Sequence, residues 1–144
     1  MDRLLILGIL ISIMYIDMRK MYIPNFLNIL LLLMAIYYKG MEYEVIENSI
    51  LGMGIYILPL LLLYGYLSDF LQREVFGFGD IKLLMSLGYI LGYSSFYDVY
   101  LYYILTFGIG AIIGVILGVL RKNFKGESPF SPFLIIVFIY MWVR

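Results

Sequence analysis

Hydrophobic residues occupy six separate runs of the chain, divided by short polar segments. The runs cover residues 4–16, 26–38, 45–67, 81–93, 96–120 and 130–143. Crossing a hydrocarbon core of about 30 Å takes about 20 helical residues, so the third and fifth runs are long enough to span. The four shorter runs suit helices with polar ends, a locally thinned bilayer or a re-entrant segment. We predict an all-α, polytopic integral membrane protein with six transmembrane helices.

The composition also indicates a lipid environment. Of the 144 residues, 64% are hydrophobic and only 14% are charged, whereas soluble chains average about 45–50% apolar and about 25% charged residues. This excludes an ordinary soluble domain and favours a single membrane-embedded domain over residues 1–144. Lys+Arg and Asp+Glu are both 10, so the net charge favours no nucleic-acid partner. Asp17, Arg19 and Lys20 follow the first run in place of a small-residue cleavage site, which predicts a retained span.

The basic residues are unevenly distributed between the two predicted membrane faces. Segments after the first, third and fifth runs carry Arg19, Lys20, Arg73, Lys82, Arg121, Lys122 and Lys125. The other face carries Arg3, Lys39, Arg144, Glu42, Glu44 and Glu47. Because cytoplasmic segments are enriched in Lys and Arg, the first group is predicted to face the cytoplasm, with both termini on the opposite side.

The chain contains no Cys and no His. Disulfides, zinc clusters, His- or Cys-dependent nucleophiles and imidazole proton transfer are therefore excluded. A catalyst of this composition depends on carboxylates, Lys, Ser or Tyr, and we predict neither a metal nor a cofactor.

Three polar segments lie at the predicted cytoplasmic ends of the spans. The first covers residues 17–25. In it, Pro24 suits the first turn of a helix and Asn25 can serve a terminal backbone group. Asp17 has neither role, so it is either a surface carboxylate paired with Arg19 or Lys20, or a site residue.

The second and third segments open the fourth and sixth runs. Asp80 either caps the fourth helix or belongs to a site, and Gly77 and Gly79 permit a close approach of another helix. Pro129 and Pro132 leave backbone groups that must face protein or water. Because all three segments are predicted on one side, we expect them to form one polar cavity, with the aspartates approaching if helices one and four pack together.

Ionising two carboxyl groups in one site costs free energy because their like charges repel, so the two groups share a proton. One can then activate a water molecule while the protonated partner polarises a carbonyl group. Such a pair can hydrolyse a peptide bond without His, Cys or metal.

These segments resemble the aspartic prepilin peptidases, the type IV leader peptidases of bacteria with archaeal preflagellin relatives. Asp17 precedes Pro24 by seven residues within Ile-Pro-Asn, and Gly-x-Gly-Asp ends at Asp80 before an Ile-Lys-Leu-Leu helix start. Pro-Phe-Ser-Pro, from Pro129, is similar to the family's Pro-Phe-Gly-Pro, with Ser131 replacing Gly. The resemblance extends over nearly the whole chain.

The resemblance implies cleavage of a basic leader after Gly in prepilin or pseudopilin-like substrates, at the cytoplasmic face of a bacterial inner membrane. It implies that Asp17 and Asp80 are catalytic, and that the chain is of the short, peptidase-only type found in Flp or Tad pilus systems. The expected positioning residues are Pro24, Asn25, Glu74, Gly77, Gly79, Lys82, Pro129 and Pro132.

Three alternatives remain at this stage. An ion- or proton-coupled transporter would carry polar residues near the middle of its spans. A Ser-Lys protease could use Lys82 and Ser86, which share a helix face. A membrane scaffold without catalytic activity is the third.

Overall fold

The computed structural model describes residues 1–72, 77–121 and 129–144 of the chain. Over these residues the regular structure consists of helices, as the all-α prediction required. They are α1 (Asp2–Lys20), α2 (Asn25–Lys39), α3 (Tyr43–Leu71), α4 (Phe78–Leu91), α5 (Phe96–Arg121) and α6 (Ser131–Val143). Each contains one of the six hydrophobic runs or most of it, because an apolar run gains most by satisfying its own backbone hydrogen bonds.

Two helices are long and apolar enough to cross a membrane. They are α3, with 29 residues, and α5, whose apolar part has 25 residues. This agrees with the lengths predicted for the third and fifth runs. Helices α2 and α6 are shorter apolar helices.

Helix α4 lies at the centre of the described bundle. It packs against α2, α3 and α6, and most of its residues from Asp80 to Ile90 are buried. Helix α1 packs mainly on α2 and α6, and α5 packs on α6. Direct packing of helices one and four, the condition considered for bringing the aspartates together, is not among the main contacts of the described residues. Helices α2 and α6 each contact both α1 and α4 and connect them.

A glycine contact lets α3 and α4 approach closely. A Cβ atom added at Gly52 would lie 2.5 Å from the carbonyl oxygen of Gly88, a distance that two such atoms cannot adopt. Small residues at helix contacts are typical of membrane proteins, where association depends on close packing. This contact fixes α4 against the longest helix.

Candidate active site

Asp17 lies in the last turn of α1 and is 5% exposed. Its side-chain partner in the described part of the chain is Ser131, the first residue of α6, whose hydroxyl donates to Asp17 Oδ2 over 2.5 Å. The guanidinium of Arg19 instead lies over the ring of Tyr15. Asp17 is therefore not a surface carboxylate paired with Arg19 or Lys20, which was one of its two interpretations from the sequence.

Asp80 is the third residue of α4 and is 8% exposed. The N-cap position belongs to Gly77, and no side chain caps this helix. The interpretation of Asp80 as a simple N-cap is therefore wrong: its carboxyl group is buried inside the first turn.

The two carboxyl groups belong to one electrostatic site. Asp80 precedes the apolar run 81–93, and burial, together with the nearby charge of Asp17, raises the pKa of Asp80 to about 7. The Gly77 backbone N–H opposes this rise. Burial and a like charge both disfavour ionisation, so Asp80 holds a proton more readily than an exposed carboxyl group does.

Polar contacts join the starts of α2 and α4. Lys82 Nζ donates to Asn25 Oδ1 over 3.0 Å, and Asn28 Nδ2 lies 3.5 Å from the carbonyl oxygen of Gly79. Pro24 is the N-cap of α2 and Asn25 its first residue. The sequence analysis expected Asn25 to serve a terminal backbone group of its own helix. Instead its side chain binds Lys82 and connects two helices.

Asn28 contacts the predicted site segment at Gly79, and the sequence analysis did not single it out. It is buried, and its Oδ1 atom has no hydrogen-bond partner within the described residues. The available signal was its place as a lone amide inside the apolar run 26–38. A buried amide oxygen without a partner costs free energy.

The Ser-Lys alternative does not fit the contacts of these two residues. Lys82 directs its amine to Asn25, and Ser86 donates its hydroxyl to the Asn28 carbonyl over 3.4 Å. A Ser-Lys catalyst needs its amine within reach of its hydroxyl. Both side chains have partners on α2 instead.

The two glycines of the Gly-x-Gly-Asp segment differ in their surroundings. A Cβ atom at Gly79 would lie 3.1 Å from Cβ of Ile23, whereas one at Gly77 would lie 3.9 Å from Asp80 Oδ2, an ordinary contact. Gly77 also has an ordinary backbone conformation, with φ −69°. The close approach expected of these glycines is therefore present at Gly79 and not at Gly77.

The prolines at the start of α6 have different positions. Pro129 precedes the helix, while Pro132 is its second residue and is buried. A proline there removes no intrahelical hydrogen bond, because the first N–H groups of a helix have no acceptor within it. Ser131, between them, was noted in the sequence analysis only as a replacement for Gly, and its contact with Asp17 was not foreseen.

The remaining predicted positioning residue, Glu74, lies outside the described residues. So do Arg73, Lys122 and Lys125 of the predicted cytoplasmic face.

A cavity of about 500 Å³ lies at the other end of the bundle. It is lined by Arg3, Tyr38, Lys39, Ile90, Leu91, Met141 and Trp142. None of the predicted site residues lines it. The buried charged residues of the described chain, Asp17 and Asp80, lie at the opposite end.

Comparison with known proteins gives a family match and several relatives. Residues 4–119 match the type IV leader peptidase family. The chain is 32% identical over 135 residues to a prepilin leader peptidase/N-methyltransferase of Aeromonas salmonicida and 30% identical to one of Aeromonas hydrophila. These matches cover 92% of this chain but only 45% and 46% of the relatives, so the chain spans less than half their length. No solved structure matches.

Proposed function

Because the chain belongs to the type IV leader peptidase family, we propose that it is a membrane aspartic endopeptidase. Its substrates would be prepilin or pseudopilin-like proteins, cleaved after the Gly that ends a basic leader. The observation that carries this proposal is the burial of Asp17 and Asp80 in one electrostatic site, built by segments far apart in the chain. Relatives named prepilin leader peptidase/N-methyltransferase support the substrate class.

The proposed mechanism uses the proton that the two carboxyl groups hold. The carboxylate takes a proton from water as the water oxygen bonds to the scissile carbonyl carbon, and the protonated carboxyl group donates to the carbonyl oxygen. Collapse of the tetrahedral intermediate breaks the C–N bond. The departing nitrogen takes a proton from one carboxyl group while a hydroxyl group of the intermediate returns a proton to the other, so the pair again holds one proton. The products are a leader with a new carboxyl group and a pilin with a new amino group.

The surrounding residues would position the two aspartates. Lys82 and Asn25 connect α4 to α2, and Gly79 lets the Ile23 segment approach. Pro24 opens α2. The same positioning role is proposed for Gly77, Pro129, Pro132 and Glu74.

We further propose that all six helices cross a bacterial cytoplasmic membrane and that the aspartates lie at its cytoplasmic face. The apolar helix of a prepilin stays in lipid while its basic leader stays in the cytoplasm, so the scissile bond lies at this boundary. Both aspartates lie at helix ends on one side of the bundle, which supports this placement. Lipid is accordingly a partner, and no cofactor is invoked.

The transporter alternative is less well supported. A proton or ion pathway across a membrane needs ionisable groups at several depths. The charged residues buried in the described chain are Asp17 and Asp80, at the same end. Their placement suits a reaction at one membrane face.

The function is tested by a cleavage assay on the full chain, purified in detergent and reconstituted into liposomes. The substrate is a pilin-like protein with a basic leader, a Gly and a long apolar helix. We expect a shorter product whose amino terminus, read by mass spectrometry, is the residue after that Gly. The control is a substrate with that Gly replaced by a bulky residue. No cleavage of any such substrate by folded protein, or cleavage at scattered positions, would contradict the proposal.

Cysteine labelling can test the proposed membrane topology, because the chain has no Cys of its own. Tyr22 and Phe78 are exposed near the two aspartates, and Tyr43 is exposed at the other end of the bundle. Single variants Tyr22→Cys and Phe78→Cys should react with a membrane-impermeant thiol reagent only from the cytoplasmic side, and Tyr43→Cys only from outside. Labelling of positions 22 and 78 from opposite sides would exclude a shared site.

A further inference from the structure

Ser131 occupies a position that calls for a specific role. It is 0% exposed, and its hydroxyl group donates to Asp17 Oδ2, with 2.5 Å between the two oxygens. A serine at the start of a helix usually caps that helix, but here Phe130 holds the N-cap position and no side chain caps α6. The hydroxyl group is thus committed to Asp17. Ser131 also lies beyond residues 4–119, the part of the chain that matches the family.

The contact makes the two carboxyl groups unequal. A hydroxyl group that donates to a carboxylate stabilises its ionised form. Asp80 has no side-chain donor within the described residues and meets only the backbone N–H of Gly77. The shared proton therefore has a preferred location.

We propose that Ser131 is a positioning residue that keeps Asp17 as the carboxylate, so that Asp17 is the base that takes the proton from water and Asp80 is the protonated acid. This inference rests on the proposed peptidase function. It adds to that function the direction of proton transfer and a residue that sets it.

Apart from Asp80, no charged group of the described helices is directed at Asp17, so none competes with Ser131 in keeping Asp17 ionised. Asp80 is the titratable group that faces Asp17 from α4, while Lys82 of α4 directs its amine to Asn25. The site residues of α2, Asn25 and Asn28, are uncharged, as is the start of α6. On α1 itself, Arg19 lies over Tyr15, and Lys20 is exposed.

The experiment is the pH dependence of kcat/KM for leader cleavage by Ser131→Ala and Ser131→Thr. Removing the donor should make Asp17 take up a proton at higher pH, so the acidic limb of the Ser131→Ala profile should move up by about one pH unit. Activity at pH values below the parent's acidic limb then falls about tenfold, and activity well above that limb changes little. Ser131→Thr keeps the hydroxyl group and should restore the parent profile.

A matched control is Ser12→Ala, since the Ser12 hydroxyl donates to a carbonyl of its own helix, α1; its profile should equal that of the parent. An unchanged limb in Ser131→Ala would overturn the proposal. So would an equal loss at every pH in both the Ala and Thr variants, because that is the result of a structural role. If Ser131→Ala does not fold, Ser131→Cys, which keeps the volume but is a weaker donor, should show an intermediate shift.

A second measurement separates this inference from the peptidase proposal. In an Asp80→Asn background, infrared spectroscopy can follow protonation of the Asp17 carboxylate without any turnover. Ser131→Ala should raise the pH of that transition by about one unit. No shift there would overturn the role of Ser131 even if the parent cleaves leaders, whereas a shift in a parent that cleaves nothing would contradict the peptidase function alone.

Discussion

Asp17→Asn and Asp80→Asn are each expected to lower leader cleavage by a factor of about 10²–10⁴, the usual contribution of a positioned general acid or base. Asparagine keeps the shape of the side chain but cannot accept a proton from water or donate one as an acid. Both aspartates are buried at one end of the bundle, so neither is readily replaced by solvent. The measurement is the initial rate on a reconstituted substrate, for each variant and for the parent at equal amounts of inserted protein.

The matched control for this pair is Asp69→Asn. Asp69 belongs to the last turns of α3 but is exposed, so its replacement should leave the rate within about twofold of the parent. Parent-like turnover in either buried variant would show that the two aspartates are not the catalytic pair. If either variant inserts poorly, its rate is compared with that of the parent per amount of inserted protein.

Gly79→Val is expected to give the second-largest loss, about tenfold to 100-fold in kcat/KM, without removing any catalytic group. A Cβ atom at this position would already lie 3.1 Å from Cβ of Ile23, and valine adds two further carbons. The added side chain would push the start of α2 away from α4. Asp80 follows Gly79 directly, and small displacements of a catalytic group are costly for the rate.

Gly77→Ala is the control for this prediction, because alanine keeps the backbone N–H through which Gly77 acts on Asp80, and its Cβ atom makes only ordinary contacts. Its rate should remain within about threefold of the parent. The double variant Ile23→Gly with Gly79→Ala gives a further test. It should recover activity that Gly79→Ala alone loses, since removing the Cβ atom of residue 23 frees the space that the new side chain at residue 79 needs. Equal losses in Gly77→Ala and Gly79→Ala, with no recovery in the double variant, would contradict the steric explanation.

The ends of the helices show how accurately the pattern of apolar residues predicts helix boundaries. The fourth run extends to residue 93, but α4 ends at Leu91, where Gly92 adopts a φ of +71° and turns the chain. The sixth run begins at residue 130, but α6 begins at Ser131. These differences are small because a helix boundary depends on local backbone hydrogen bonds, to which hydrophobicity contributes little.

The roles of the polar residues were harder to predict. The motif spacing brought Asp17, Asp80, Asn25 and Lys82 into consideration, yet Asn25 was expected to serve its own helix and instead binds Lys82. The short side chain of Asn25 can reach either the end of its own helix or Lys82. The choice depends on how α2 and α4 are placed relative to each other, which no local pattern specifies.

The sequence by itself determined the six helices and the two aspartates at helix ends, because helix formation and burial follow from the order of apolar and polar residues along a short stretch. Only the tertiary structure decided that Ser131 donates to Asp17, a partner 114 positions away, and that Asn28 contacts Gly79. Such contacts form when separate helices pack. Their geometry depends on the shapes of all the side chains between them, here including a glycine contact between α3 and α4 at Gly52 and Gly88.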